Sequence, residues 1–375
     1  MNILRYTDNF GVAATVKAKI NLPQRADIQR ILIIKWGALG DIARSSAIFQ
    51  DIFLAFPNAK IDLNTFSMFE KLFQADTRFN RVFSVDLRGK DKGWAGKLRW
   101  LREVRAGNYD LVIDLQSADR TRMMLQLLQL TGKGIRYRVG HYAGLPYNIA
   151  PPRLPVGTHG FEYMRAALAA AGIPFNTMLP CLHVPPRNTQ RAAELALRHG
   201  LTPKKYVVFL PGCQAAGFLK RWGANNYAAL GQLLHQAGIE KIVVLGAKDE
   251  AEECAAITQL CGNLCVNLCG QTEIFDLLPL CENAACIVGN DTGTAQMVTA
   301  TGTPMLTLYG PTDPRLAKPV GAQVIALQVS IKDVPCLNCQ CNVECSHQSC
   351  MKAITPQRAM QEIAAMIRLE IKADS

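Results

Sequence analysis

Residues 31–49 read ILIIKWGALGDIARSSAIF, and this stretch decides the fold class. Four consecutive aliphatic residues are typical of a parallel strand buried on both faces, and the glycines that follow predict a tight turn into a helix. Glycine allows the backbone to approach a ligand, and the free N–H groups of a helix N-terminus attract anions. The turn nevertheless carries Asp41, whose carboxylate would repel a phosphate. We therefore expect Asp41 to be either a helix N-cap or a catalytic base.

The composition indicates a globular protein with room for two domains. The chain has 375 residues, of which 49% are hydrophobic and 19% are charged, so it is not of the disordered class. No apolar run approaches the length of a membrane span, and residues 1–30 contain no apolar signal core. We therefore expect residues 1–30 to form an N-terminal arm and the protein to be cytoplasmic.

Most of the net charge of +11 comes from one stretch. Between Arg88 and Arg138, 12 Lys or Arg residues stand against 5 Asp or Glu, which gives a net charge of +7. Such a stretch is either an ordinary solvated face or a surface for an anionic partner, namely a phosphorylated glycolipid, a membrane or a nucleic acid. Nucleic acid is the least favoured partner, because few aromatic residues lie between the basic ones.

Strand and helix patterns alternate along both halves of the chain. Strands are predicted at 31–34, 60–64, 81–85 and 110–115, and then at 206–210, 241–246, 286–289 and 305–310. Helices are predicted near 41–55, 67–75, 97–106 and 118–130, and then near 225–237, 249–262, 274–281, 293–301 and 355–369. Residues 174–190 contain four prolines and read as a linker. The alternation predicts an α/β fold of two Rossmann-like lobes, each a doubly wound parallel sheet, with a ligand-binding cleft between them.

Candidate chemistry lies where predicted strands end. The GALGD of residues 37–41 lacks both the GxGxxG dinucleotide fingerprint and the lysine of a triphosphate-binding loop, which weakens the dehydrogenase and NTPase interpretations. Residues 211–222 (PGCQAAGFLKRW) form a glycine-containing loop that ends in Lys220 and Arg221. This loop is either an ordinary strand–helix connection or a site for an anionic ligand, with the lysine as a mobile point charge.

A third candidate is the segment IVGNDTGT at residues 287–294. Asp291 stands where the strand gives way to a turn, and Thr292, Gly293 and Thr294 begin a helix. Their N–H and hydroxyl groups suit a diphosphate, and the carboxylate can accept hydrogen bonds from sugar hydroxyls. The alternative is that Asp291 only caps the helix.

The motifs GALGD, PGCQAAGFLKRW, VGNDTG, TGTP and YGPTDP occur in this order. Together they closely resemble glycosyltransferase family 9, the ADP-heptose heptosyltransferases that build the inner core of bacterial lipopolysaccharide. The resemblance covers about residues 31–370. It implies a GT-B fold, with the acceptor in a domain of residues 31–180 and the nucleotide-sugar in a domain of residues 190–354. It also implies that a C-terminal helix (355–375) crosses back to the first domain, and that transfer is inverting and needs no metal for its chemistry.

Site residues follow from the same resemblance. Asp41 matches the catalytic aspartate, with Gly40 and Arg120 on the acceptor side. The donor side comprises Lys220 for the phosphates and the residues of the turn and neighbouring loop, namely Gly246, Asp291, Thr292, Gly293 and Thr294. Two departures concern the family pattern: Gln296 stands where the family usually has a histidine, and thirty residues precede the first strand. The first departure puts the sugar or nucleotide specificity in question more than the fold.

The implied function is transfer of heptose from ADP-heptose to a lipopolysaccharide inner-core acceptor. Two alternatives stay open: a heptosyltransferase that modifies a protein such as an autotransporter, and a non-catalytic nucleotide-sugar-binding protein. An anionic glycolipid or a protein acceptor and peripheral association with the inner membrane are the expected partnerships. No nucleic-acid partner is expected, and the oligomeric state is open.

Thirteen cysteines are many for a cytosolic chain. Eight lie in apolar or helical stretches and are expected to be small core residues: Cys181, Cys213, Cys254, Cys261, Cys265, Cys269, Cys281 and Cys286. The other five fall within residues 336–350, where Cys336, Cys339, Cys345 and Cys350 offer four thiolates, with Cys341 and His347 in reserve. This spacing predicts either a structural zinc or iron site or a group of free thiols.

Overall fold

A computed structural model describes residues 1–8, 10–87, 89–132, 134–212, 215–339 and 345–369. The strands are β1 (Ile3–Tyr6), β2 (Arg30–Ile34), β3 (Lys60–Phe66), β4 (Arg81–Val85), β5 (Leu111–Asp114), β6 (Tyr137–Val139), β7 (Tyr206–Leu210), β8 (Lys241–Val244), β9 (Cys265–Asn267), β10 (Cys286–Asn290), β11 (Met305–Tyr309) and β12 (Val324–Val329). The helices are α1 (Leu39–Ala55), α2 (Gly93–Ala106), α3 (Asp119–Leu130), α4 (Gly160–Ala170), α5 (Pro186–Arg198), α6 (Ala224–Gln236), α7 (Ala251–Cys261), α8 (Leu277–Glu282), α9 (Gly293–Val298), α10 (Pro314–Ala317), α11 (Ser349–Lys352) and α12 (Pro356–Ile367).

The chain forms two compact units. The N-terminal unit comprises Phe10–His183, and the C-terminal unit comprises Met1–Asn9 with Val184–Ser375. The boundary falls inside the proline-rich segment that reads as a linker. Within the described residues, no helix is both long and apolar enough to cross a membrane.

The N-terminal unit is built on a parallel sheet with the strand order β4-β3-β2-β5-β6. The four aliphatic residues of β2 are fully buried, as expected for a central parallel strand. Helices α2 and α3 pack on one face of the sheet through an apolar cluster that contains Ile34, Trp100 and Met124. Helices α1 and α4 pack against each other.

The C-terminal unit is built on a larger sheet with the order β1-β12-β11-β10-β7-β8-β9. All its pairs are parallel except β1 with β12. Alternate residues of β7 point to opposite faces: Val207 and Phe209 join the cluster under α6, α7 and α12, whereas Val208 and Leu210 join the cluster under α5 and α8. The sheet is therefore doubly wound, and the predicted α/β class with two such parallel sheets is confirmed.

The first residues differ from the expected arm. Residues 3–6 form β1, which pairs antiparallel with β12 in the register Ile3 to Val329. The six residues of β12 are all buried, so without β1 this strand would expose an apolar sheet edge. The side chain of Asp8 continues the attachment, because it accepts a hydrogen bond from Lys318 Nζ at 2.5 Å. The segment therefore belongs to the C-terminal unit.

The last helix also differs from its expected place. Helix α12 buries Ala359, Met360, Ile363 and Ala364 in the apolar cluster of the C-terminal unit and packs against α6. These positions are spaced i, i+1, i+4 and i+5, so they form one apolar stripe along the helix. The stripe predicts that one face is buried, and the structure shows that the partner is the sheet of the C-terminal unit.

Candidate functional site

The topology of each sheet defines a crevice at the carboxyl ends of its strands. In the N-terminal unit the strand order reverses between β2 and β5, and in the C-terminal unit it reverses between β7 and β10. Loops that leave two such strands diverge to opposite faces of the sheet, and ligands of open α/β sheets bind in the resulting crevice. Asp41 follows β2, Lys220 follows β7 and Asp291 follows β10. The sequence-predicted charged residues of both sites therefore lie at these crevices.

Asp41 does not cap the helix. The N-cap of α1 is Ala38, and Asp41 is the third helical residue, where a carboxylate favours the positive end of the helix dipole. Its side chain is 44% exposed and forms an ion pair with Arg44. The N-cap interpretation is wrong, and the role of catalytic base stays a prediction.

The turn before Asp41 requires glycine at position 37. Gly37 has a φ of +145°, and a Cβ atom there would lie 2.7 Å from the ring of Phe69. Gly40 is buried in the first turn of α1. Arg120, the other residue expected on the acceptor side, is exposed in the first turn of α3, which follows β5.

Two buried basic side chains accompany Asp41, and the sequence analysis did not single them out. Lys35 follows β2 directly and is 7% exposed; its Nζ donates to the carbonyl oxygen of Leu115 at 3.2 Å. Burial lowers the pKa of Lys35 to about 8, with the charges of Asp41 and Asp114 opposing the shift and that of Arg44 adding to it. Arg44 is 8% exposed. The Asp41 carboxylate thus has the buried guanidinium of Arg44 as its ion-pair partner, and it lies close enough to the buried ammonium of Lys35 for the two charges to interact.

The guanidinium of Arg44 is only partly satisfied by hydrogen bonds. One Nη atom donates to Asp41, while Nε and the other Nη atom are buried without a hydrogen-bond partner among the described residues. The first residue of α4 comes close: a Cβ atom on Gly160 would lie 3.2 Å from the Nη atom that faces Asp41. Buried donors without partners cost free energy. A ligand atom that accepts a hydrogen bond from this guanidinium would therefore be bound favourably.

The loop after β5 is rigidly held. Asp114 is fully buried and accepts hydrogen bonds from the backbone N–H groups of Gln116 and Ser117 and from the hydroxyl of Tyr147. Burial raises its pKa, and these hydrogen bonds oppose the rise. Ser117 Oγ accepts from the backbone N–H of His141 at 2.9 Å.

His141 contributes a neutral imidazole to the same unit. Burial lowers its pKa to about 3, and the charge of Lys35 adds to the effect, so the ring is uncharged at neutral pH. Its Nε2 atom is buried without a hydrogen-bond partner among the described residues. A polar residue directly after a β-strand is the sequence signal that would have found Lys35, but no pattern in the sequence marks His141.

In the C-terminal unit, the structure brings Lys220 and Asp291 together. Lys220 Nζ donates to Asp291 Oδ2 at 2.6 Å, and the same oxygen accepts from Thr312 Oγ at 2.8 Å. The hydroxyl of Tyr309 lies 3.3 Å from the other carboxylate oxygen. The Asp291 side chain is only 10% exposed. The two residues that were expected to bind different parts of a donor are thus paired with each other.

The turn after β10 has the expected form. Thr292 is the N-cap of α9, and its side chain accepts a hydrogen bond from Ala295 N–H at 3.2 Å, so the cap is not Asp291. Gly293 and Thr294 form the first turn of this short helix. Gln296 donates from Nε2 to the carbonyl oxygen of Ala317 at 2.5 Å, which ties α9 to α10.

The loop after β8 is tightly packed around Gly246. A Cβ atom at this position would lie 2.9 Å from Cys254 Sγ and 3.0 Å from a carboxylate oxygen of Glu250. Nearby, Arg221 and Glu253 form an ion pair at 3.3 Å. Burial raises the pKa of Glu253 to about 7, and the charge of Arg221 opposes the rise. The sequence analysis did not single out Glu250 or Glu253.

The predicted structural metal site is not supported. Residues 336–339 and 345–350 form no group of three or more His, Cys, Asp or Glu side chains that could hold a metal ion, nor does any other described part of the chain. Cys350 is buried, and burial raises its pKa to about 11, whereas Cys336 is exposed. Cys341 lies outside the described residues. Among the described residues of this segment, Cys336, Cys339, Cys345 and Cys350 are free cysteines.

The scattered cysteines divide into two groups. Four are buried core residues, as expected: Cys254, Cys261, Cys281 and Cys286. Three others are only partly buried: Cys181, Cys265 and Cys269. Cys213 lies outside the described residues.

Comparisons with known proteins point to one family. Residues 97–347 match the family model of glycosyltransferase family 9 (heptosyltransferase). The lipopolysaccharide heptosyltransferase 2 of Escherichia coli K12 is 25% identical over 359 residues, which cover 91% of this chain and 99% of that protein. The lipooligosaccharide heptosyltransferase 2 of Haemophilus influenzae is 22% identical over 346 residues, covering 90% and 99%.

Solved structures share the fold of this chain. The glycosyltransferase family 9 protein of Veillonella parvula superposes with a TM-score of 0.75 at 19% identity, covering 91% of this chain and 97% of that one. The E. coli ADP-heptose LPS heptosyltransferase II superposes with a TM-score of 0.66 at 22% identity, covering 91% and 99%. With the two Rossmann-like units, these likenesses confirm the predicted GT-B fold class.

Proposed function

This chain belongs to glycosyltransferase family 9, and we propose that it transfers heptose from ADP-heptose to an acceptor of the lipopolysaccharide inner core. The enzyme class follows from the family. The donor, the acceptor and the inverting course of the reaction are our proposal, and they rest on similarity to lipopolysaccharide heptosyltransferases over 90–91% of the chain.

The observation that carries the proposal on the donor side is the pair Lys220–Asp291 at the reversal point of the larger sheet. When a nucleotide diphosphate enters, its phosphates compete with Asp291 for the ammonium group of Lys220. The carboxylate is then available to accept hydrogen bonds from sugar hydroxyls, while Thr312 and Tyr309 continue to hold it in place. We assign Gly246, Thr292, Gly293 and Thr294 to the same donor site.

On the acceptor side, Asp41 is the proposed general base. Its carboxylate is accessible, while Lys35 and Arg44 beside it are buried. The acceptor hydroxyl oxygen attacks the anomeric carbon, and its proton passes to the Asp41 carboxylate. The bond from the anomeric carbon to the diphosphate oxygen breaks with its electron pair, so ADP leaves and the configuration inverts. Cationic and N–H groups of the donor site stabilise the charge on the leaving diphosphate.

We also propose that the enzyme is cytoplasmic and binds peripherally to the membrane that carries its acceptor. Helix α2 supports this: Trp94 is 66% exposed and Leu98 is 49% exposed, one helical turn apart. Lys97 Nζ lies 4.3 Å from the centre of the Trp94 ring, and Arg102 is exposed one turn further on. An aromatic and an aliphatic side chain among basic groups suit the interface of an anionic bilayer. We call these four residues the α2 patch.

The test is a transfer assay with purified protein and ADP-heptose. One reaction contains a lipopolysaccharide core acceptor truncated before its heptoses, one contains an unfolded autotransporter passenger protein, and one contains no acceptor. Transfer to the lipid alone supports the proposal. Transfer to the protein alone would contradict the proposal and support the alternative of a heptosyltransferase that modifies a protein. Binding of ADP-heptose with no transfer in any reaction would support the non-catalytic alternative.

A further inference from the structure

We propose that Cys254 and Cys269 form a reversible redox pair, which peroxide closes to a disulfide and which thereby weakens nucleotide binding in the C-terminal unit. The disulfide would join the first turn of α7 to the loop after β9. It rests only on contacts within this unit. Its effect on the nucleotide rests in addition on the proposed function, which assigns Gly246 to the donor site.

The first observation is that the two sulfur atoms lie against the same point of the chain. A Cβ atom on Gly246 would lie 2.9 Å from Cys254 Sγ and 3.4 Å from Cys269 Sγ. Both residues are free cysteines, and the thiol of Cys254 donates a hydrogen bond to the sulfur of Cys269. A disulfide bond is shorter than such a contact, so the sulfur atoms need to approach each other further to form it.

The second observation is that the two thiols differ in their access to solvent. Cys254 is fully buried, whereas Cys269 is only partly buried. A small oxidant therefore reaches Cys269 first, and Cys254 stands beside it as the resolving thiol, which is the usual arrangement of a redox-sensing pair. Disulfides of reducing compartments are mostly transient pairs of this kind.

The surroundings of Cys269 determine how fast it reacts. Burial raises its pKa, the hydrogen bond from Cys254 opposes the rise, and the charges of Glu250 and Asp249 add to it. Since the thiolate is the reactive form, little of the residue is reactive at neutral pH. We therefore expect oxidation to be slow at pH 7 and faster as the pH rises.

The reaction with hydrogen peroxide has two steps. The Cys269 thiolate attacks one peroxide oxygen, and the O–O bond breaks with its electron pair to give hydroxide, which takes up a proton and leaves as water. The Cys254 sulfur then loses its proton and attacks the sulfur of the Cys269 sulfenic acid, whose S–O bond breaks to release a second water. Two thiols are oxidised to one disulfide, and one peroxide is reduced to two waters. A small dithiol reverses the change by thiol–disulfide exchange.

The disulfide should disturb the loop after β8. In the reduced protein, Cys269 Sγ donates a hydrogen bond to the carbonyl oxygen of Ala247 at 3.1 Å, and this bond is lost when the thiol proton leaves. The next residue, Gly270, donates from its backbone N–H to the carbonyl oxygen of Gly246 at 2.9 Å. A displacement of Cys269 towards Cys254 is therefore transmitted to Gly246, around which both sulfur atoms are already tightly packed.

The experiment maps disulfides in the full-length protein after treatment with hydrogen peroxide at pH 8. Free thiols are blocked with an alkylating reagent, and the protein is digested with pepsin, which can cleave at the leucines between the two cysteines. The acid conditions of this digestion suppress thiol–disulfide exchange, because that reaction needs the thiolate. The variants are Cys269→Ser, Cys254→Ala and the matched control Cys265→Ser, at another partly buried cysteine of the same unit.

We expect the oxidised wild type and Cys265→Ser to give a linked peptide pair that contains Cys254 and Cys269 and is separated by dithiothreitol. Cys269→Ser and Cys254→Ala should not give it. Absence of this pair from the oxidised wild type would overturn the proposal, as would its replacement by a link from either cysteine to another residue. If Cys254→Ala does not fold, the wild type and Cys269→Ser decide.

Calorimetry with ADP measures the effect on the nucleotide. The oxidised wild type should bind ADP several-fold more weakly than the reduced protein, and dithiothreitol should restore the affinity. Cys269→Ser should bind ADP equally before and after peroxide, which controls for oxidation of every other side chain. Equal affinity of oxidised and reduced wild type would overturn the proposed effect on binding. If the reduced protein does not bind ADP, the donor assignment and this effect fail together, whereas the peptide map still decides the disulfide.

Discussion

The ammonium group of Lys220 lies 2.6 Å from Oδ2 of Asp291, so two residues separated by 71 positions in the chain are paired at the crevice of the C-terminal unit. The contact depends on the sheet order, in which β7 and β10 are neighbours although β8 and β9 lie between them in the chain. Because Asp291 is nearly buried and also accepts from Thr312, it is held in place whether or not the lysine stays. The lysine side chain is the more exposed of the two, at 24%, so we expect it to be the partner that moves when a ligand binds.

We expect Lys220→Ala and Asp291→Ala each to weaken ADP-heptose binding by about 1.5–3 kcal/mol, the typical contribution of a charged hydrogen bond in a desolvated site. For ADP alone, Lys220→Ala should retain its full effect, whereas Asp291→Ala should have little effect or improve binding, because the sugar is absent and the lysine is released. Calorimetry with both ligands measures this difference. Arg187→Ala, which breaks an exposed ion pair with Glu273 in the same unit, is the control. Unchanged affinities in both site variants would mean that the donor binds elsewhere.

A second prediction concerns alkaline pH and Lys35. Its pKa is lowered from 10.5 to about 8 by burial, so between these values the unfolded chain binds more protons than the folded protein. The free energy of unfolding should therefore rise with pH across this window, by up to about 3 kcal/mol from this group. Below about pH 8 both states are protonated and the contribution is constant.

Lys35→Met tests this by removing the amine and keeping an unbranched buried side chain. Denaturant unfolding at pH 7.5, 8.5 and 9.5 should show the gap in stability between wild type and variant shift in favour of the wild type as the pH rises. Other titrating groups contribute to both proteins and cancel in the difference. A gap that is the same at all three pH values would show that Lys35 keeps an ordinary pKa.

The third prediction concerns the α2 patch. Replacing both Trp94 and Leu98 by serine should lower binding to phosphatidylglycerol vesicles roughly tenfold or more, because two side chains that would enter the interface are lost. Cosedimentation with vesicles measures the binding, and neutral phosphatidylcholine vesicles should bind the wild-type protein weakly. Leu197→Ser, at an 85% exposed leucine in the C-terminal unit, is the matched control. Raising the salt concentration should weaken binding of the wild-type protein to these vesicles. If salt has no effect, or if the control variant loses as much binding as the double variant, another surface is responsible.

The success and the limits of sequence reasoning have physical causes at particular residues. β2 and β7 were predictable because buried parallel strands are continuous aliphatic runs, and Asp41, Lys220 and Asp291 were found because ligand-binding residues follow such strands. The pairing of Lys220 with Asp291 was not predictable, since it depends on which strands become neighbours.

Three misses have related explanations. Arg44 reads as a solvated helix residue, and its burial depends on the long-range approach of α4 near Gly160. β1 has only four residues in a mixed exposure pattern, too short for a periodic signal. The stripe of α12 indicates a buried face but does not say which unit covers it. Long-range partners were thus the missing information in each case.

The last prediction concerns Asp41 as a base. Asp41→Asn keeps the volume and removes the proton acceptor, and because Ala38 is the N-cap of α1, no capping interaction is lost. If Asp41 is the general base, turnover should fall by about 10²–10⁴-fold, while affinity for ADP-heptose stays near that of the wild type. The matched control is Asp119→Asn, because Asp119 is an exposed carboxylate in the first turn of α3, which follows β5 as α1 follows β2. This control removes the same charge from the same unit and should transfer at a near wild-type rate. Single-turnover kinetics with saturating donor separates chemistry from product release. If Asp41→Asn folds, binds the donor and transfers within a few-fold of the wild-type rate, then another group accepts the proton and Asp41 serves only to hold Arg44.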